Sequence, residues 1–138
     1  MRVGQVGTAF FLTSLLAVLH LAAQEAGGLP PSGALPGPQA HVLMKELGGS
    51  LVVLDVRTHE EYAKGHVPGA IHIPVDELEK RVGELPTDSP ILILCRSGRR
   101  AAAAYDILLK ASPGTTSAGL WHLDAKPVYK RGGKVSFK

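Results

Sequence analysis

The sequence has a single cysteine, Cys95, among its 138 residues. One cysteine excludes a disulfide within the chain and any metal site built on several thiolates. The histidines show neither the His-x-His nor the His-Glu-x-x-His spacing of a ligand set, so we expect no metal and no cofactor. Any special chemistry therefore rests on Cys95 and its neighbours along the chain.

Aromatic residues are also scarce, at 5% of the sequence, and the net charge is only +3. Basic side chains gather next to Cys95 and in residues 126–138, with few aromatic residues among them. Proteins that bind nucleic acids commonly combine a basic surface with aromatic side chains that stack on bases. We therefore expect a small-molecule substrate and no nucleic-acid partner.

The longest apolar run, residues 9–23, is too short to span a bilayer easily, because a spanning helix needs about 20 residues. It follows Arg2 and ends in Leu-Ala-Ala before Gln24. These features predict a secretory signal peptide over residues 1–23, with cleavage before Gln24. The protein is then expected in the periplasm, with no stable membrane association after processing. An uncleaved N-terminal anchor is the alternative.

The remaining chain is long enough for one compact domain. Residues 24–38 include GGLPPSGALPGP and are predicted to be a linker, since glycine and proline disfavour helices and central strands. The domain is predicted over residues 39–130. Residues 131–138 contain a Gly-Gly pair and terminal lysines, and are predicted to be a flexible tail.

Apolar runs of strand length alternate with helical patterns along the domain. Residues 51–54, 71–73 and 91–94 are predicted strands, and residues 39–47 and 101–110 are predicted helices. This alternation indicates an α/β fold with a central parallel sheet and helices on both faces. Residues 119–123 and 127–129 are expected to add a turn and an extended edge segment.

The candidate active site is the loop that joins the strand at residues 91–94 to the following helix. It contains Cys95, Arg96, Ser97, Gly98, Arg99 and Arg100. A strand, a tight turn and a helix in this order aim backbone N–H groups and the positive end of the helix dipole at one point. Basic neighbours and a helix N-terminus favour thiolate over thiol, so Cys95 is predicted to be the nucleophile. The arginines, together with Ser97 and Gly98, are predicted to bind an oxyanion.

Asp55 and Arg57 follow the first buried strand, so they are expected near the same edge of the sheet as Cys95. We predict a supporting role for both, with Asp55 capping the next turn and Arg57 pairing with a carboxylate such as Glu61. His66 and His72 are interpreted as hydrogen-bonded turn and strand residues.

Two stretches carry a family resemblance. LDVRTHEEYAKGHVPGAIHIP, at residues 54–74, resembles the first signature of the rhodanese sulfurtransferases, and CRSGRRA, at residues 95–101, resembles their active-site loop. The two motifs occur in the family's order and spacing, which is more specific than either alone. With the predicted signal peptide, and with AGL and KPV at residues 118–120 and 126–128, the chain resembles the periplasmic single-domain rhodaneses of the phage-shock type.

The resemblance implies a two-step sulfur transfer. Cys95 would take the outer sulfur of thiosulfate as a persulfide and release sulfite, and cyanide or a thiol, a protein thiol included, would then accept the sulfur. The N–H groups of residues 96–100 would hold the persulfide, and Arg96 and Arg100 the sulfonate end of the donor. One departure is that residues 110–119 lack an apolar strand run. We therefore expect a truncated last strand.

Two other functions remain open. Related folds carry phosphatases and arsenate reductases of the Cys-x5-Arg type, but here Ala101 holds that arginine position and Arg100 comes one residue early. A non-catalytic rhodanese-like binding module is the second alternative. Such modules have lost the cysteine, whereas this chain keeps Cys95 in a basic loop.

Overall fold

The computed structural model describes residues 28–111 and 115–138. The predicted signal peptide lies outside these residues. The chain divides into two units, Met1–Pro30 and Pro31–Lys138, and every helix and strand below belongs to the second.

The strands are β1 (Gly33–Leu35), β2 (Val52–Asp55), β3 (Ile71–His72), β4 (Ile91–Leu94), β5 (Leu120–Leu123), β6 (Pro127–Tyr129) and β7 (Val135–Phe137). The helices are α1 (Gly37–Leu47), α2 (His59–Ala63), α3 (Val75–Arg81), α4 (Arg99–Ala111) and α5 (Thr115–Ala118). Short 3-10 turns occupy Gly48–Ser50, Val82–Glu84 and Arg131–Gly133.

Five strands form one parallel sheet in the order β1-β5-β4-β2-β3. The middle strand, β4, is buried along its whole length, which explains its uninterrupted apolar sequence. Ile91 and Ile93 pack into the core on one face, while Leu92 and Leu94 pack into the core on the other. The predicted α/β class with a central parallel sheet is confirmed.

Helices cover both faces of this sheet. Leu78 of α3 and Leu108 of α4 are buried in the core that contains Ile91 and Ile93. Leu43 of α1 is buried in the other core, together with Trp121 of β5. Because all strands run in the same direction, the loops after β2 and β4 lie at the same edge of the sheet.

The expectation of a truncated last strand was wrong. Leu120–Leu123 is an interior strand, paired with β4 on one side and β1 on the other, and Trp121 is fully buried. The strand is short and His122 interrupts its apolar residues, so its sequence resembled a turn. Gly119 precedes it with a φ of 108°, a conformation that favours glycine.

The predicted linker is partly structured. Gly33–Leu35 pairs with β5 at the edge of the sheet, and Leu35 is buried. An edge strand tolerates nearby prolines because only one of its sides forms ladder hydrogen bonds. Trp121 strengthens this edge by donating its Nε1–H to the carbonyl oxygen of Pro31 at 3.0 Å.

The predicted flexible tail also differs from the structure. Val135–Phe137 pairs antiparallel with β6, and the Phe137 ring lies 4.5 Å from that of His41 on α1. Gly132 and Gly133 both have positive φ, which lets the chain turn between the two strands. The C-terminal hairpin therefore packs on the domain as a part of it.

Candidate active site

Cys95 directly follows β4 and has only 1% of its surface exposed. The backbone N–H of Gly98 donates to its Sγ atom at 3.0 Å. A backbone N–H aimed at the sulfur atom is a donor that a cysteine nucleophile can use when negative charge develops on it. The loop thus places one backbone donor on the cysteine before any substrate binds.

Gly98 makes this contact through a conformation that other residues rarely adopt. Its φ is +90°, and a Cβ atom built on it would lie 3.3 Å from both Asp124 Oδ1 and the carbonyl oxygen of Leu123. Its own carbonyl accepts the N–H of Ala102, the first hydrogen bond into α4. Gly98 therefore adopts the left-handed turn, packs closely against the end of β5 and accepts the first hydrogen bond of α4.

The arginines of the loop occupy different environments. Arg96 and Arg99 are exposed, as is Ser97, whereas Arg100 is half-buried. The guanidinium of Arg100 donates two hydrogen bonds to the carboxylate of Glu61, at 2.8 and 2.9 Å. The Arg100 guanidinium is therefore bound to Glu61, although the family resemblance implies that it holds the sulfonate end of thiosulfate.

The carboxylate of Glu61 accepts hydrogen bonds from two residues, Arg100 and Thr58. It receives the Arg100 bonds, and its Oε2 also accepts the backbone N–H of Thr58 at 3.0 Å. Thr58 and Glu61 form the capping box of α2. The Arg100 hydrogen bonds, with those from Thr58, lower the pKa of Glu61 to about 2, so its carboxylate stays charged at neutral pH.

Asp55 and Arg57 form a buried ion pair beside the loop. Arg57 Nη2 lies 2.6 Å from Asp55 Oδ2, and Arg57 Nε donates to both carboxylate oxygens. Arg57 also donates to the backbone carbonyls of Glu61 and Gly65. The side chain thus joins the end of β2 to α2 and to the turn that follows it. Its ionic partner is Asp55, and not Glu61 as the sequence suggested.

A cavity of about 340 Å³ adjoins the loop. It is lined by Arg57, Glu61, Lys64, Arg96, Pro127 and Tyr129. The Arg57 guanidinium lies over the Tyr129 ring, 4.4 Å from its centroid. Arg57 is paired with Asp55, and Glu61 with Arg100. Arg96 and Lys64 have no ion-pair partner within the described part of the chain. The cavity therefore presents two cations for an anionic ligand.

The histidines near this site have structural partners. His66 Nδ1 lies 2.9 Å from the carbonyl oxygen of Tyr62, and His72 Nε2 lies 2.8 Å from that of Arg57. Among residues 28–111 and 115–138, no group of three or more His, Cys, Asp or Glu side chains is placed to hold a metal ion. No helix within the same ranges is both long enough and apolar enough to cross a membrane.

A comparison with known protein families decides the classification. The sequence profile of the rhodanese-like domain matches residues 39–131. The chain belongs to the rhodanese-like domain family. This match includes Asp55, Arg57, Cys95 and the whole loop that follows it, and it extends to the end of β6.

This rhodanese-like chain is also similar to individual curated proteins. It is 54% identical over 61 residues to the putative sulfur carrier protein YrkF of Bacillus subtilis, covering 44% of this chain and 33% of that one. It is 38% identical over 134 residues to the HTH-type transcriptional regulator Rv0324 of Mycobacterium tuberculosis, covering 89% and 58%. The chain thus spans between a third and three fifths of these relatives' lengths.

Among solved structures, the human single-domain sulfurtransferase TSTD1 superposes with a TM-score of 0.53 at 25% identity. The superposition covers 69% of this chain and 89% of TSTD1. TSTD1 is, by its name, a sulfurtransferase that consists of a single domain.

Two residues of the site escaped the sequence analysis in their observed roles. The sequence indicates Glu61 only as a partner for Arg57, and Tyr129 only as part of an edge segment. Glu61 could have been found by asking which carboxylate balances Arg100. Tyr129 has no local signal, because it reaches the cavity from a strand near the end of this rhodanese-like domain.

Proposed function

We propose that this protein is a thiosulfate sulfurtransferase that moves sulfur from thiosulfate to cyanide or a thiol through a persulfide on Cys95. The observation that carries the proposal is the hydrogen bond from the Gly98 N–H to Cys95 Sγ at the C-terminal end of β4. It supports a thiolate nucleophile in a basic loop, and TSTD1 is a sulfurtransferase by name.

The reaction balances without a cofactor. The thiolate of Cys95 attacks the outer sulfur of thiosulfate, and the sulfur–sulfur bond of the donor breaks with its electron pair leaving on sulfite. In the second step, cyanide attacks the outer sulfur of the persulfide and forms thiocyanate. The electron pair of the persulfide bond returns to Sγ and regenerates the thiolate.

The positive charges that line the cavity support an anionic sulfur donor such as thiosulfate. Arg96 and Lys64 line the cavity with no ion-pair partner among the described residues, so both are available to the sulfonate oxygens. Arg100 is ion-paired with Glu61, so in this scheme it holds the loop in place and does not bind the sulfonate. The remaining backbone N–H groups of residues 96–100 are assigned to the persulfide.

The loop favours sulfur transfer over phosphate hydrolysis. A phosphatase of the Cys-x5-Arg type needs its last arginine free to bind the equatorial oxygens of a phosphoryl group. Here the corresponding position is Ala101, and the preceding Arg100 is bound to Glu61. We therefore expect no significant hydrolysis of aryl phosphates.

Intact mass measured after incubation with thiosulfate tests the proposal. The wild-type chain should gain one sulfur atom and lose it when cyanide is added. Cys95→Ser should gain none while it retains the wild-type circular-dichroism spectrum, since the two side chains are close in size. A wild-type chain that gains no sulfur, or hydrolyses p-nitrophenyl phosphate instead, would remove the assignment. A domain that only binds or carries sulfur would gain the atom but show no turnover with cyanide or thiols.

We also propose export to the periplasm, supported by the apolar run at residues 9–23 and the small residues before Gln24. N-terminal sequencing of the protein recovered from cells should begin near Gln24. A chain that begins at Met1 and fractionates with membranes would indicate an uncleaved anchor.

A further inference from the structure

The hydroxyl group of Tyr129 is buried without a hydrogen-bond partner among the described residues. His122 Nδ1 shares this property, but His122 does not line the cavity beside the Cys95 loop, whereas Tyr129 does. A buried hydroxyl that forms no hydrogen bond destabilises the folded state, so its presence calls for a compensating role. Its place at the cavity suggests that the role belongs to the site.

The ring of Tyr129 is held firmly in this place. The Arg57 guanidinium lies over one face, 4.4 Å from the ring centroid, and Arg57 is itself fixed by Asp55. The backbone of Gly65 packs against the Tyr129 side chain, since a Cβ atom at Gly65 would lie 3.1 Å from that of Tyr129. The hydroxyl is thus positioned in advance by packing and not by a partner of its own.

The surroundings also keep the hydroxyl protonated. Burial, and after it the negative charge of Asp55, raises the pKa of Tyr129 to about 12, against the opposing effect of the Arg57 guanidinium. At neutral pH the group is therefore protonated and available as a hydrogen-bond donor on a residue that lines the cavity.

We propose that the Tyr129 hydroxyl donates a hydrogen bond to the outer sulfur of the Cys95 persulfide, and is thus a catalytic residue of sulfur transfer. This inference rests on the proposed function. In the described structure Cys95 Sγ is bonded to the Gly98 N–H and not to Tyr129. A persulfide extends the side chain by a sulfur–sulfur bond of about 2 Å, which brings an acceptor atom further out from the loop.

The hydrogen bond would assist both steps without changing their atom balance. In the first step it meets the outer sulfur of thiosulfate as the new bond to Sγ forms and sulfite leaves with its electron pair. In the second it withdraws charge from that same sulfur, which makes it more open to attack by anionic cyanide. The proton stays on the tyrosine oxygen throughout, so no additional acid or base is needed.

Tyr129→Phe tests this role because it removes only the oxygen atom. We expect persulfide formation from thiosulfate, followed by stopped flow and intact mass, to slow by roughly tenfold to a hundredfold, the usual range for a hydrogen bond to a charged group. The melting temperature should stay unchanged or rise, since no partner is lost. Alkylation of the sulfur-free Cys95 by iodoacetamide should keep its wild-type rate, because Gly98 holds Sγ itself.

Tyr62→Phe is the matched control. The Tyr62 hydroxyl donates to the carbonyl oxygen of Ala70 at 3.2 Å, so its loss should lower stability and leave the rates of sulfur transfer unchanged. Wild-type rates in Tyr129→Phe would overturn the inference and leave the proposed function standing. A slower Tyr129→Phe with an equally slowed iodoacetamide reaction would also overturn it, because the oxygen would then act on Sγ. A wild-type chain that takes up no sulfur would refute the proposed function, and the inference with it.

Discussion

The carboxylate of Glu61 and the guanidinium of Arg100 are joined by two hydrogen bonds, of 2.8 and 2.9 Å, although 39 residues separate them in the chain. This pair connects the first turn of α2 to the first turn of α4, the helix that follows the Cys95 loop. Because Arg57 also donates to the Glu61 carbonyl, α2 is tied to the site from two sides. The loop is therefore supported by residues that do not follow it in sequence.

Glu61→Gln should weaken this support in a pH-dependent way. The pKa of Glu61 is lowered from 4.5 to about 2 in the folded protein, so its carboxylate stabilises the fold above pH 4.5. That contribution is lost progressively as the pH falls from about 4.5 towards 2. We expect the variant to lose about 1 kcal/mol at pH 7, as for a two-point but partly exposed ion pair. The difference from wild type should shrink below pH 4.5.

Urea denaturation at pH 7, 5, 4 and 3 measures this effect. Glu84→Gln is the control, because Glu84 makes a similar two-point contact with Arg81 but its side chain is 54% exposed. We expect a smaller change there than at Glu61. A destabilisation of Glu61→Gln that does not vary with pH would mean that packing, and not charge, explains it.

The sequence predicted the central part of the fold because its signals are local. The runs that became β2 and β4 are continuous and apolar, and Thr58 and Glu61 have the spacing of the capping box that begins α2. The strand β5 escaped because His122 interrupts it, and β1 because it lies among prolines and glycines. Both are defined by their neighbours in the sheet, which no local pattern reveals.

In the candidate active site, too, features set by local sequence were predictable, and features set by distant parts of the chain were not. Cys95 and Gly98 are adjacent in sequence to the strand that positions them, so their proximity was predictable. The partner of Arg100 was not, since it depends on how α2 packs against the loop. The position of Tyr129 depends on the C-terminal hairpin packing on the domain, whereas the Gly-Gly pair and the terminal lysines predict a flexible tail over residues 131–138.

Asp55→Asn should be strongly destabilising. Asp55 is fully buried and Arg57 is 5% exposed, so loss of the carboxylate charge leaves a buried guanidinium without its counter-charge. Such changes cost about 3–5 kcal/mol. The cost should be smaller when Arg57→Met is also present, because the unpaired charge is then absent. Urea denaturation of the four members of this double-mutant cycle measures the coupling, and strictly additive changes would contradict the ion-pair explanation.

Arg96→Ala should raise the Michaelis constant for thiosulfate and leave kcat nearly unchanged. Arg96 lines the cavity and has no ion-pair partner in the described ranges, so its charge is available to the donor in the ground state. We expect a rise of about tenfold, which corresponds to one charge-assisted hydrogen bond. Lys80→Ala removes an equal charge from a residue that does not line the cavity, and should have little effect. A fall in kcat with an unchanged Michaelis constant would instead place Arg96 in the transition state alone.

Gly98→Ala should damage both the fold and the chemistry, because the glycine holds the donor that contacts Cys95. Its φ of +90° is a strained conformation for alanine, and the added Cβ would press against Asp124 and the Leu123 carbonyl at 3.3 Å. We expect a loss of about 1–3 kcal/mol in the free energy of unfolding. If the strain is relieved by rotating the loop, the N–H moves off Sγ, and iodoacetamide should then react more slowly with Cys95.

Gly83→Ala separates this effect from the general consequence of replacing a glycine. Gly83 has no positive φ, and a Cβ atom there would meet no neighbour within 4 Å. That substitution should be neutral or slightly stabilising, by up to about 1 kcal/mol, because it reduces the freedom of the unfolded chain. Urea denaturation and alkylation rates, measured on both variants, make the comparison. If Gly98→Ala reacted with iodoacetamide as fast as wild type and Gly83→Ala, the Gly98 N–H would not be what activates the thiol, and the central observation behind the proposed sulfur transfer would lose its force.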